Sequence, residues 1–199
     1  DLISQGGGVY DRNAKVVMLS PEVQACFGFT VDKMAPNDSI RALLQSKGDL
    51  LFNGGIGTYV KSKEEYDSQV GDRANDALRI NGEDLQCLVV AEGGNLGFTQ
   101  LGRIEYALKG GRINTDAIDN SAGVDCSDHE VNLKILLNPL VAQGDMTNKQ
   151  RNELLVNMTP EVVDLVLSDN ISQTGALSLF SFNIEKNIEI MHQNSKEKI

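Results

Sequence analysis

The sequence predicts an α/β fold, a parallel sheet flanked by helices and followed by a C-terminal helical segment. Three observations predict it. Short apolar runs that end in glycine, Asp49-Leu-Leu-Phe-Asn-Gly-Gly55 and Cys87-Leu-Val-Val-Ala-Glu-Gly-Gly94, read as parallel strands, because strands covered on both faces are near-continuously apolar. Helical patterns alternate with these runs from about residue 36 to 143, the order that crossover units covering both faces of a parallel sheet require. After residue 144 the strand signals stop and helical patterns continue. The expected division is therefore 1–143 for the sheet-bearing domain and 144–199 for the helical segment.

The elements follow in order. Ser20-Pro-Glu-Val23 and Thr159-Pro-Glu-Val162 each combine a hydroxyl cap, a proline in the first turn and an acid near the positive end of the helix dipole, so both predict helix starts. Capping boxes at Ser62-Lys-Glu-Glu65 and Thr147-Asn-Lys-Gln150 predict two more. A third box, Ser127-Asp-His-Glu130, precedes the apolar series Val131, Leu133, Ile135, Leu136, Leu137 and Leu140. Helices are expected near 21–28, 38–47, 63–79, 100–109, 128–143 and 148–169. The tail from 171 to about 194 is expected to be helical and to fray from Asn183. Arg112-Ile-Asn-Thr-Asp-Ala-Ile118 is a weaker third strand.

Composition narrows the function classes. The 199 residues carry a formal charge of −10, which disfavours nucleic acid, whose sequence-independent binding needs clustered Lys and Arg. No run approaches eighteen apolar residues and no charged-then-apolar leader is present, so no membrane partner is expected and the localisation is read as cytoplasmic. Cys26, Cys87 and Cys126 lack metal-knuckle or disulfide-framework spacing and read as reduced, mostly buried thiols. The chain opens at Asp1 without an initiator Met, as a piece of a larger protein would.

Ligands of open parallel sheets sit at the carboxyl ends of the strands. The turns NGGIG at 53–57, EGGNLG at 92–97 and NSAG at 120–123 each follow a predicted strand, so they are expected to gather along one edge. Asn53, Asn95 and Asn120 take corresponding places there. An amide offers donors and an acceptor to a ribose hydroxyl or a carboxamide, or it only closes an Asx-turn. The Gly-x-Gly-x-x-Gly fingerprint is absent, since Gly6-Gly-Gly8 continues as Val-Tyr-Asp and Gly55-Ile-Gly57 as Thr-Tyr-Val. Spacing alone leaves chain reversal and ligand binding both open. A metal would need several of Asp116, Asp119, Asp125, Asp128 and His129 to converge, whereas successive residues of a helical first turn point apart. No metal site is expected. A helix start also exposes amides to an anionic ligand group.

Asn120-Ser-Ala-Gly-Val124-Asp-Cys-Ser127 resembles the Asn-Ala-Gly-Gly-Val-x-x-Ser signature in the nucleotide-binding domain of glutamate dehydrogenases. Glu92-Gly-Gly-Asn95 followed by Thr99 is similar to their Glu-Gly-Ala-Asn…Thr turn. DLISQGGGVYDRNAK at 1–15, DLLFNGGIGTYVK at 49–61, VGDRANDALR at 70–79, GGRINTDAIDNSAGVDCSDHEVNLKILL at 110–137 and LSDNISQTGALSL at 167–179 resemble the large bacterial NAD-dependent enzymes. The resemblance covers about residues 1–179 and implies a partial Rossmann-like domain of a homo-oligomeric enzyme that oxidatively deaminates L-glutamate to 2-oxoglutarate and ammonium with NAD as cofactor. It implies cofactor contacts at Asn53, Gly54, Gly55, Asn95 and Asn120, and substrate contacts at Val124 and Ser127, with the Ser127 hydroxyl on the distal carboxylate. The family's catalytic lysine and aspartate and its dinucleotide fingerprint match no residue here, so the resemblance implies a catalytically incomplete piece. Two other readings stay open: a noncatalytic nucleotide-sensing or interaction module, and a metal-dependent hydrolase built on the aspartates at 116–128.

Overall fold

The structure, a computed structural model, describes residues 3–182 together with 184, 187, 188 and 190. The chain divides into two compact units, 1–119 and 120–199.

In the first unit, β1 (Val17–Met18) pairs antiparallel with β2 (Lys33–Met34) around α1 (Pro21–Phe27). Ser20 caps α1 as its sequence predicts: its Oγ accepts from Val23 N at 3.2 Å and donates to the Gly6 carbonyl at 2.7 Å. After α2 (Pro36–Leu44) come β3 (Lys47–Phe52), β4 (Val60–Lys61), α3 (Asp67–Val70), β5 (Ile80–Asn81) and β6 (Gln86–Ala91). Then α4 (Gln100–Leu108), β7 (Arg112–Ile113) and α5 (Asp116–Asp119) complete it. The sheet has the order β3-β6-β7 with both pairings parallel, the α/β arrangement expected. Its register sets Phe52 against Ala91, so β3 and β6 end level and release their glycine-rich turns side by side.

The core of this unit joins Val60, Ile80, Leu85, Cys87, Val90, Phe98 and Tyr106. Burying Phe98 and Tyr106 contributes on the order of 2–3 kcal/mol each. Tyr106 is satisfied by donating to the Cys87 carbonyl at 2.9 Å, and burial pushes its phenol well above the usual range. Helices flank the sheet, while Leu50, Phe52 and Leu88 remain exposed.

Two expected elements differ. The helix predicted over 63–79 is only α3 and a 3-10 turn at Arg73–Leu78. The Ser62 hydroxyl accepts from Glu64 N and Glu65 Oε2 from Ser62 N, so the box closes a local turn, and Gly71 at φ 78 ends α3 after four residues. The strand expected over 112–118 stops at Ile113. The Thr115 carbonyl accepts from Ile118 N and Asp119 N, which turns the chain into α5. Asn120 therefore follows a helical turn and not a strand end.

The second unit is the pair α6 (Asp125–Gln143) and α7 (Asn148–Phe182). The Thr147 box forms as predicted, with Gln150 Oε1 accepting from Thr147 N at 2.9 Å and Thr147 Oγ1 from Gln150 N at 3.2 Å. Leu137 and Val166 are buried, while Val131, Ile135 and Leu136 of the predicted apolar series are exposed. Thr159-Pro160 does not start a helix: Pro160 lies inside α7 and Thr159 Oγ1 donates to the Leu155 carbonyl at 3.2 Å. That bond lies wholly within the turn before Pro160, whose missing N–H would have met the Val156 carbonyl. The predicted tail beyond Phe182 lies largely outside the described residues. Among the described residues no helix is long and apolar enough to cross a membrane. Of the cysteines, Cys87 is buried, Cys126 is half-buried and Cys26 is exposed, against the expectation of mostly buried thiols. Cys26 sits on α1, none of whose residues is buried.

Candidate functional site

The turns 53–57 and 92–97 are joined main chain to main chain. The Gly97 carbonyl accepts from Tyr59 N at 2.8 Å and Val60 N at 3.2 Å, and Asn53 N donates to the Ala91 carbonyl at 2.9 Å. Thr58 Oγ1 donates to the Leu96 carbonyl at 2.6 Å. A Cβ at Gly94 would collide with the Gly55 carbonyl oxygen, so glycine is the residue that permits this approach. Asn53, Gly54, Gly55 and Asn95 are thereby brought together. The Asn53 side-chain nitrogen packs against Gly97. It is buried without a hydrogen-bond partner, an uncommon state for an amide.

Carboxylates anchor the turns. Glu92 is fully buried and receives Arg103 Nε and Nη2, both at 2.8 Å, and Phe98 N at 2.9 Å. Asp119 Oδ2 accepts from Glu92 N at 2.9 Å and Asp116 Oδ2 from Leu96 N at 2.8 Å. Opposing its desolvation, the bonds and charges of Glu92 and Asp116 hold the Arg103 guanidinium pKa above its ordinary value. On the other turn, Asp72 Oδ2 accepts from Thr58 N at 2.9 Å and Asn75 Nδ2 at 2.7 Å. The Asn75 bond first, then the Thr58 bond, draws the Asp72 pKa down. Arg79 reaches the Thr58 carbonyl, Asp67 and Asp76 from a fully buried side chain.

Glu105 anchors the chain beside β4, accepting from Ser62 Oγ at 2.7 Å, Glu83 N at 2.8 Å and Lys63 N at 2.9 Å. Burial alone would raise its pKa, yet these bonds lower it below 4.5. A depressed carboxylate stabilises the fold above its unfolded pKa and loses that contribution as pH falls through the folded value. Acid unfolding of the first unit is therefore expected to draw on Glu105 below about pH 4.5. Glu105→Gln should be less stable at pH 7 and show a shallower loss of stability below that point. An acid titration of unfolding free energy with the same slope in both proteins would sink the assignment.

In the second unit, Asn120 opens a helical turn, its carbonyl accepting from Gly123 N and Val124 N, both at 2.9 Å. Helical bonding thus begins before the Ser127 box, and Val124, not Ser127, is the N-cap of α6. Ser127 lies within the first turn, exposed, with its Oγ donating to the Gly123 carbonyl at 2.7 Å. Its one hydroxyl hydrogen must turn away from Gly123 to meet a carboxylate. Asp125, His129 and Asp169 place ligand-capable atoms within 4.8 Å of one another. Asp125 and His129 stand one turn apart on α6 as a 3.6 Å pair and Asp169 faces them from α7, with His129 Nε2 and Asp125 Oδ2 buried and without a hydrogen-bond partner. Asp116 and Asp119 bond main-chain N–H groups in the first unit.

The residues that sequence reasoning missed as anchors are Glu92, Arg103, Asp72 and Arg79, whose partners lie up to 27 residues away with no periodic signature.

A family model described as bacterial NAD-glutamate dehydrogenase, catalytic domain, matches residues 1–180. The chain is 61% identical over 179 residues to the NAD-specific glutamate dehydrogenase of Halomonas elongata. It is 60% identical over 178 residues to that of Pseudomonas aeruginosa and 57% over 182 to that of Mycobacterium tuberculosis. These alignments cover 90%, 89% and 88% of this chain and 11% of each relative.

Proposed function

The chain belongs to the bacterial NAD-glutamate dehydrogenase family, within its catalytic domain, and from that premise we propose that it forms part of the nucleotide-binding portion of such an enzyme. The reaction is L-glutamate, NAD⁺ and water to 2-oxoglutarate, ammonium, NADH and a proton. NAD, when bound, accepts the hydride. Asn53, Gly54, Gly55 and Asn95 hold it on the joined turns, with Asn120 as a further amide contact. Val124 and Ser127 meet the side chain of glutamate. The family's proton-transferring lysine and aspartate are supplied by polypeptide outside these 199 residues, so the segment alone does not turn over.

The observation that carries this reading is the join between the turns: main chain against main chain at Gly94 and Gly55, with the Asn53 amide nitrogen buried and lacking a partner. Gly55, with open space on its Cβ side, leaves backbone bare beside the join, which suits a polar ligand laid across the strand ends.

The test uses the full-length polypeptide that carries this segment. Asn95→Ala is expected to raise KM for NAD with little change for glutamate. Ser127→Ala is expected to lose about 1.5–3 kcal/mol of glutamate binding, a hydrogen bond to a charged group, with NAD unchanged. Equal weakening of both ligands by Ser127→Ala would assign its hydroxyl to holding the first turn of α6 through Gly123. NAD binding with no glutamate-dependent NADH formation would instead support a sensing module.

A further inference from the structure

Leu96 is the one non-glycine residue with positive φ among the described residues, at 53°. Left-handed backbone crowds the Cβ of an ordinary side chain, so a leucine persists there only if its surroundings impose it. Packing does not impose it, because Leu96 is 64% exposed. What holds it is its main chain. Its N–H donates to Asp116 Oδ2 at 2.8 Å and its carbonyl accepts from Thr58 Oγ1 at 2.6 Å.

Asp116 is itself aimed. Its Oδ1 accepts from Arg103 Nη2 at 3.2 Å and from Ala117 N at 3.1 Å, and Arg103 is locked on the buried Glu92 through two further bonds. The peptide plane between Asn95 and Leu96 carries the N–H that Asp116 accepts. Fixing that plane fixes ψ of Asn95, and with it the direction in which the Asn95 side chain leaves the turn.

We propose that Asp116 is a positioning residue for the cofactor: its carboxylate holds Leu96 in the left-handed conformation and so presents Asn95 to NAD. This rests on the reading of Asn95 as an NAD contact. Asp116 acts through the backbone and touches neither ligand. Removing its carboxylate lets Leu96 relax to negative φ, and the turn then offers Asn95 in a direction the cofactor does not meet.

The test compares Asp116→Ala with the double variant Asp116→Ala/Leu96→Gly in the full-length polypeptide. Glycine takes positive φ without a Cβ penalty, so it removes the cost that the Asp116 bond offsets in Leu96. Calorimetry is expected to show NAD binding about tenfold weaker in Asp116→Ala, the scale of a hydrogen bond to a charged group. KM for glutamate should stay at the wild-type value. Adding Leu96→Gly should return NAD affinity to within about threefold of wild type. Hydrogen exchange over residues 92–98 without NAD should quicken in Asp116→Ala.

Unchanged affinity in Asp116→Ala overturns the proposal. So does equal weakening in the single and double variants, which would assign the effect to the Arg103 ion pair. If Asp116→Ala does not fold, Leu96→Val serves, because β-branching penalises left-handed backbone at an exposed site. NAD binding about threefold weaker at an unchanged unfolding temperature supports the proposal, and unchanged binding overturns it. Asn95→Ala separates the two levels. If it leaves NAD affinity intact, the cofactor reading fails and takes this inference with it. If it weakens NAD while Asp116→Ala does not, only the positioning role falls.

Discussion

Arg103→Ala is expected to destabilise the first unit by about 3–5 kcal/mol, the scale for removing one partner of a buried ion pair. Glu92 is fully buried and the Arg103 side chain is only 9% exposed, so water cannot take over the lost bonds. Truncation leaves the Glu92 carboxylate with Phe98 N as its remaining donor and removes the guanidinium that aims Asp116. Glu92→Gln/Arg103→Met separates charge from shape. Its amide oxygen still serves Phe98 N, no charge is stranded, and methionine fills much of the arginine stem. Most of the lost stability should return, as it does when a buried pair is replaced by neutral groups of similar volume. Denaturant unfolding of the three proteins measures this. A double variant as unstable as Arg103→Ala would show that the guanidinium matters for something other than balancing Glu92.

That ion pair marks where sequence reasoning stops. The parallel strands β3 and β6 were legible because their apolar runs are too short for a helix and end in glycine, although the two-sided cover that such runs predict is missing over Leu50, Phe52 and Leu88. Ser20 and Thr147 were legible because nothing downstream contradicts their caps. The same hydroxyl-and-acid pattern misleads at Ser62, where it closes a turn. It misleads again at Ser127, where Asn120 has already begun the helical bonding. Capping is local, whereas propagation depends on what flanks it. The candidate turns were visible because glycine punctuates strand ends. Their anchors were not: Asp116 and Asp119 look like free acids in a row, and only the fold shows them spent on the N–H groups of Leu96 and Glu92.

Gly94→Ala and Gly55→Ala are expected to part company, and the difference separates a glycine the fold requires from one the ligand requires. A methyl at Gly94 meets the Gly55 carbonyl oxygen and carbon, which are backbone atoms that cannot swing aside. The two turns must separate, loosening the bonds from Tyr59 N and Val60 N to the Gly97 carbonyl and from Thr58 Oγ1 to the Leu96 carbonyl. Overpacking of this kind costs about 1–3 kcal/mol of stability, and NAD affinity in the full-length protein should fall at least about tenfold with it. At Gly55 a Cβ meets nothing within 4 Å, and its φ lies outside the left-handed region. Stability should therefore stay within about 0.5 kcal/mol of wild type. If the dinucleotide lies against Gly55, that methyl occupies its place, and NAD binding weakens in a protein that unfolds at the normal temperature. Thermal unfolding and NAD calorimetry on both variants decide the matter. Wild-type NAD affinity in Gly55→Ala would remove Gly55 from the cofactor surface while leaving Gly94 as the residue that lets the turns meet.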